Sequence, residues 1–164
     1  MVFLSKIDIF LNFYLDILKK TDFKYYHSLP KIPCHGDFDK RNIIKKKNKI
    51  IGFIDLGGVT IDPPICDLQS CIQLNTMKNG QLDIDLAEYI IDGYNSYRRI
   101  GKDQLELIPI LMYSEMLKTL CWVMFKLATP DNRINLIEAL ERMKTLSWFK
   151  NYYLNLTRFF KTFI

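Results

Sequence analysis

Two isoleucine-rich runs, Asn42 to Lys46 and Lys49 to Leu56, are where this chain reads as β-strand. Lys47-Asn48 between them reads as the turn of a small hairpin. The other periodic segments have the three- and four-residue apolar spacing of helices. Ile7, Phe10, Leu11, Tyr14 and Leu18 predict an amphipathic helix over residues 3–20. Residues 21–33 are polar and then carry Pro30 and Pro33, which predicts a connection. Gly57-Gly58 and Asp62-Pro63-Pro64 predict an irregular loop. Ile65 to about Leu74 reads as a short apolar helix. Residues 82–99 read as the next, with Leu82, Leu86, Tyr89, Ile90, Gly93, Tyr94 and Tyr97 on one face. Residues 103–127 predict a long apolar helix bent near Pro109. Asn132 to about Phe160 predicts one or two more, with Ile134, Ile137 and Leu140 at helical spacing. With no repeat or flexible linker in sight, the expected fold is one mainly α domain, residues 1–164, around one small hairpin.

Composition narrows the function classes. Hydrophobic residues make up 49% of the 164, enough for a sizeable core and too many for a disordered chain. No run of about 18 uncharged apolar residues occurs, so no membrane span or membrane partner is expected. Lys6, Asp8 and Asp16 interrupt the apolar N-terminus, which excludes a signal-peptide reading. The net charge of +5 favours anions without naming one. Lys45, Lys46, Lys47 and Lys49 cluster at the hairpin tip without interleaved aromatics, so they read as solvated charge, and no nucleic-acid partner is expected. Cys34, Cys66, Cys71 and Cys121 form no C-x-x-C pair, and with two His in the chain a zinc site is not expected. Their apolar neighbours suit reduced, buried thiols in a cytoplasm. Tyr152, Tyr153, Phe159, Phe160 and Phe163 read as the core side of a terminal helix, and His27 as a surface or loop residue.

The chemistry gathers in Pro33-Cys34-His35-Gly36-Asp37-Phe38-Asp39-Lys40-Arg41-Asn42 and in Ile51-Gly52-Phe53-Ile54-Asp55-Leu56-Gly57. A carboxylate, an amide and a second carboxylate in that order suit phosphoryl transfer. Asp37 can orient a substrate hydroxyl and take its proton, while Asn42 and Asp55 can hold magnesium against nucleotide phosphates. Asp55 is expected at the end of a buried strand, Ile50 to Ile54, a rigid mount beside glycines that let phosphates approach. Singly, each residue is an ordinary turn or strand-end side chain; the ordered combination points to function. Lys40 and Arg41 read as solvated loop charges, and Asp37, Asp39 and Asp55 as an acidic set for an acceptor pocket. Asp67, opening an apolar helix, reads as a cap or brace.

These motifs resemble the aminoglycoside phosphotransferase and choline kinase-like family, relatives of the protein kinases. The matching pieces are H-G-D-x-x-x-x-N at His35 to Asn42, I-D-x-G at Ile54 to Gly57, and D-P-x-x-D-L at Asp62 to Leu68. The resemblance implies that Asp37 is the catalytic base, that Asn42 and Asp55 bind magnesium with ATP or GTP, and that His35 braces the loop. It implies that Asp67 accepts hydrogen bonds from the catalytic-loop backbone, with Asp62 as a turn residue. The implied substrate is a hydroxyl of a small molecule that is aminoglycoside-, choline-, homoserine- or sugar-like.

Two departures shape the expectation. Leu56 stands where the family often has an aromatic residue, and Gly57-Gly58 follows, a pair that would loosen the loop. The family's N-terminal lobe supplies a glycine-lined loop over the nucleotide and a strand lysine on its phosphates. Met1 to Pro33 holds no glycine, and Lys6, Lys19, Lys20 and Lys24 lie on or beside a helix. The chain therefore reads as the C-terminal, helical lobe of a kinase-like fold without its N-terminal lobe. Residues 33–68 would be its catalytic and metal-binding loops and 69–164 its helical subdomain. Such a chain is expected to be incomplete alone, with a separate N-lobe polypeptide as a partner. The rival expectation is a truncated or split kinase remnant that binds without catalysing.

Overall fold

A computed structural model describes residues 2–78, 81–129 and 136–163. In chain order the elements begin with α1 (Val2–Leu18), α2 (Phe23–Ser28), β1 (Ile32–Cys34), β2 (Ile43–Lys46), β3 (Lys49–Phe53) and β4 (Thr60–Asp62). They continue with α3 (Ile65–Thr76), β5 (Met77–Lys78), β6 (Gln81–Leu82), α4 (Ile84–Tyr97), α5 (Lys102–Leu105), α6 (Ile108–Leu127) and α7 (Leu136–Lys161). The described residues are mostly helical with small sheets. They gather into two units: one holds α1, α6 from Pro109 on and α7, and the other holds residues 22–78 and 82–108.

The first unit is built on aromatic packing between helices. Of the expected apolar face of α1, Phe10 is buried, Ile7, Tyr14 and Leu18 are half-buried and Leu11 is exposed, while Ile17, three residues on from Tyr14, is buried as well. The Tyr113 hydroxyl of α6 donates to the Phe10 carbonyl at 3.2 Å, which satisfies a polar group in a fully buried ring. Phe13 meets Tyr113 and Tyr153 edge-on, with centroids 5.2 and 5.6 Å apart. Within α7, Phe149 and Phe160 are buried while Tyr152 is half exposed, so the aromatic tail divides between core and surface. Asn132 and Ile134 lie outside the described residues; Leu140 is partly exposed and Ile137 is exposed. The stretch Lys102–Leu127 is long and apolar enough to cross a membrane by length and composition. Yet 56% of its most apolar window is buried inside the fold, the pattern of a core helix. Pro109 does not bend this stretch. The helix breaks at Glu106-Leu107 instead, and Pro109 sits in the first turn of α6, where its missing N–H costs nothing.

The second unit departs further from the sequence-based expectations. Asp22 accepts from the amides of Lys24 and Tyr25 and so starts a helix inside the supposed connection. His27 lies on that helix, exposed, with its ring against Phe23 and Tyr26. The hairpin forms with its turn at Lys47-Asn48, Lys47 taking a positive φ of 54°. The Gly57 to Pro64 loop contains a strand, β4, which pairs antiparallel with β1 through Ile32↔Asp62, Pro33↔Ile61 and Cys34↔Thr60. The hairpin is thus not the sole β-structure. Strand β3 ends at Phe53, and Ile50, Ile51 and Ile54 are exposed, with Ile51 at 60%. The strand is not buried, because its sheet has two strands and no second layer among the described residues. The buried stripe of α4 is Ala87 and Ile91; Tyr89 and Tyr97, which the spacing sets on one face with Leu86 and Tyr94, are 75% and 97% exposed. Helices α3 and α4 pack together, with Leu68 and Ile72 facing the interior. Burial of a side chain such as Ile72 stabilises by about 1.5–3 kcal/mol. Of the cysteines, Cys34 is buried, Cys66 and Cys71 are half-buried, and Cys121 is exposed rather than in the core; all four are free.

Candidate active site

The loop from His35 to Asn42 leaves β1 and is held from below by α3. Asp67 spans two successive amides, with Oδ2 accepting from His35 N and Oδ1 from Gly36 N, both at 2.9 Å. One turn on, the Ser70 hydroxyl accepts from Phe38 N at 3.1 Å and donates to Gly36 O at 3.2 Å. Near the helix end, Asn75 Nδ2 donates to Phe38 O at 2.8 Å and its Oδ1 accepts from Lys40 N at 2.9 Å. Three side chains of one helix thereby satisfy six backbone groups of an irregular loop, four of them in partly buried hydrogen bonds, where an unpaired group would cost free energy. Ser70 and Asn75 were not singled out from sequence. Their signal is weak, because Asp67, Ser70 and Asn75 share the helix with the further polar residues Gln69, Gln73 and Thr76.

Gly36 makes the tight start possible. Its φ is +77°, and a Cβ there would stand 2.6 Å from the Gly58 carbonyl oxygen. The two glycine-bearing loops therefore close on each other. Leu56–Gly58 forms a 3-10 turn, with Val59 N donating to Leu56 O at 3.3 Å, so the glycine pair tightens the loop instead of loosening it.

Three contacts join the first motif to the second. His35 Nδ1 accepts from Asp37 N at 3.3 Å, which leaves the proton on Nε2 to donate to Ile54 O at 2.9 Å. Ile54 N donates to Asn42 O at 3.0 Å. The rings of His35, Phe38 and Phe53 fill the space between, with Phe38 and Phe53 centroids 5.0 Å apart. Asp55 follows immediately, exposed, with φ 63° and ψ 58°. That left-handed conformation is uncommon outside glycine, and such backbone concentrates at functional sites.

Asp37 is half-buried, and its Oδ2 accepts from Asn42 Nδ2 at 2.8 Å. The same Nδ2 donates to the Asp37 carbonyl at 3.0 Å. Both amide hydrogens of Asn42 are thus directed to Asp37, and its Oδ1 remains an acceptor for a cation. Asp39 leaves the expected acidic set. It is 5% exposed and accepts from Arg41 N, Nε and Nη2 at 2.8–3.0 Å. The hydrogen bonds from the Arg41 side chain hold the Asp39 carboxyl below its ordinary range. Arg41 is correspondingly tied back along the loop and is not a free charge.

Beneath the loop, the Cys34 thiol donates to Asp62 O at 3.2 Å. Burial, with Asp67 and Cys66 nearby, pushes it up to about 11. Burial likewise raises Cys66 and Cys71, so these thiols are poor nucleophiles. Asp62 lies in β4 and accepts from the Tyr26 hydroxyl at 3.4 Å.

The donor chemistry fits magnesium. Among the described residues no cluster of three or more His, Cys, Asp or Glu could hold a metal ion. Magnesium at nucleotide sites uses one or two carboxylates and completes its shell with water and phosphate oxygens, and an amide oxygen with an exposed carboxylate suits that habit. No curated protein matches the chain. A model of the phosphotransferase enzyme family matches residues 4–106, well over half of the sequence and all of the loop, strand and helix just described, and the chain belongs to that family.

Proposed function

We propose that the chain carries the acceptor-activating and metal-binding part of a small-molecule kinase site, with ATP or GTP as donor. The observation that carries this reading is the Asp37–Asn42 pair, in which one amide both orients the base and keeps its own oxygen for a cation. Asp37 would align the acceptor hydroxyl and take its proton as that oxygen bonds to the γ-phosphorus and the bond to the β–γ bridging oxygen breaks, releasing the nucleoside diphosphate. Asn42 and Asp55 would hold magnesium, which when bound neutralises charge on the phosphate oxygens. His35 and Asp67 set the loop and touch no reacting atom. The half-buried Asp37 and the exposed Asp55 favour a polar or cationic acceptor that is aminoglycoside-, choline-, homoserine- or sugar-like. Four free cysteines suit a reducing cytoplasm.

The glycine-lined loop and strand lysine over the nucleotide would come from outside these 164 residues, through further sequence or a separate polypeptide. Supporting this, Ile50, Ile51, Ile54, Leu56, Val59 and Ile61 are exposed around Asp55. An apolar set of that extent suits a covering partner. The same face favours the second reading, a split-kinase remnant that binds a partner without catalysing. Isothermal titration with magnesium and ATP or GTP tests the choice. Metal-dependent binding that Asp55→Asn removes is the expected result. No binding at millimolar nucleotide would overturn the metal-bridged reading and leave the remnant.

A further inference from the structure

A cavity of about 130 Å³ opens in the second unit, away from Asp37, Asn42 and Asp55, none of which lines it. Pro64 and Ile65 at the start of α3 form one wall, and Tyr94, Arg98, Arg99 and Gln104 provide polar walls. Such a volume holds several waters or one small oxyanion. No acidic side chain lines it, although the chain has 18 of them. Two adjacent arginines, Arg98 and Arg99, do, and among the described residues neither forms an ion pair, whereas Arg41 and Arg142 do.

The backbone that presents these arginines is fixed. Arg98 N donates to Tyr94 O at 2.9 Å, and Ile100 N donates to Asn95 Oδ1 at 3.0 Å. Arg98 itself is extended, a geometry in which successive side chains normally part to opposite sides, yet both line the cavity. Gln104 Oε1 accepts from Gly101 N at 3.3 Å, which leaves its amide hydrogens to donate. Burial raises Tyr94, which keeps its hydroxyl a donor. Helix α3, of 12 residues, begins at the wall; Asp67 in its first turn accepts from the His35 and Gly36 amides and keeps its negative charge, so the helix end adds no net attraction for an anion. Guanidinium forks, amide hydrogens and a phenol share one preference, a tetrahedral oxyanion.

We propose that this cavity binds a phosphate-type oxyanion, either free phosphate or the head of a phosphorylated small molecule. Isothermal titration of the full chain with inorganic phosphate and with glycerol phosphate, at ionic strength held constant by chloride, tests it. One-to-one binding is expected, weakened about tenfold or more by Arg98→Gln or Arg99→Gln. Both side chains are exposed, so these variants keep the fold. Arg98→Lys should bind between the two, because it keeps charge and loses the fork. Asp55→Asn should bind phosphate as the native chain does, whatever its effect on nucleotide. Tighter binding of the monoester supports the phosphorylated molecule as the source, and equal binding supports the free ion. Binding that survives the double Arg98→Gln, Arg99→Gln change, binding that Asp55→Asn removes, or no binding beyond chloride would overturn the proposal.

Discussion

The amide of Gly36 donates to Asp67 Oδ1 at 2.9 Å across 31 residues of sequence. The other oxygen of the same carboxylate takes the preceding amide, that of His35. One side chain on α3 therefore sets the direction in which the chain enters Asp37. Asp67→Asn replaces one acceptor with a donor that faces an N–H. It is expected to lower stability by about 1–3 kcal/mol in urea denaturation. Exchange at the His35 and Gly36 amides should accelerate at the same time. Unchanged protection at both amides would separate Asp67 from the loop.

Gly36 and Gly52 give opposite expectations for the same substitution. Gly36→Ala places a Cβ 2.6 Å from the Gly58 carbonyl oxygen at a φ of +77°. Left-handed strain and overpacking together cost about 2–4 kcal/mol. Gly52→Ala meets nothing within 4 Å and has an ordinary φ, so it should range from neutral to about 1 kcal/mol stabilising. Chemical denaturation of the two variants checks the contrast.

Asp39 links the loop to acid sensitivity. Hydrogen bonding from Arg41 lowers its folded pKa beneath the unfolded value of about 3.9. Its contribution is therefore complete above the unfolded pKa and fades as pH falls through the folded one. Asp39→Asn should be less stable than the native chain at neutral pH. The gap should narrow below about pH 4. A constant gap from pH 7 to pH 2 would show that the pair is not the source.

Asp37 and Asp55 should separate in assays of the proposed reaction. Asp37→Asn is expected to leave magnesium-nucleotide affinity close to native. It should lower transfer by about 10²–10⁴-fold, the usual contribution of a positioned base. On the proposal that the phosphate-covering loop comes from outside these residues, transfer by the chain alone is expected to be very weak. Efficient turnover by the purified chain, abolished in Asp37→Ala, would sink that expectation.

Several parts of this molecule were legible in local sequence because local forces decide them. The three- and four-residue spacing of Ile7, Phe10, Leu11, Tyr14 and Leu18 makes α1 helical wherever it packs, and Lys47-Asn48 turns because the flanking runs pair. The family was legible too: the motifs from His35 to Leu68 resemble it, and they fall inside the residues its model matches, 4–106. Other features depend on partners distant in the chain. Ser70 and Asn75 become loop braces because α3 runs beneath residues 36–40, which a polar residue in a helix does not announce. Asp39 reads as a site acid until Arg41 folds back on it. Ile50, Ile51 and Ile54 read as buried because they are apolar, but burial needs a second layer, and a two-stranded hairpin provides none. The sequence by itself determined the helical character and the membership of the phosphotransferase family. The tertiary structure alone decided how the loop from His35 to Asn42 is held, because hydrogen bonds spanning some thirty residues, such as His35 and Gly36 to Asp67, exist only after α3 and the loop have met.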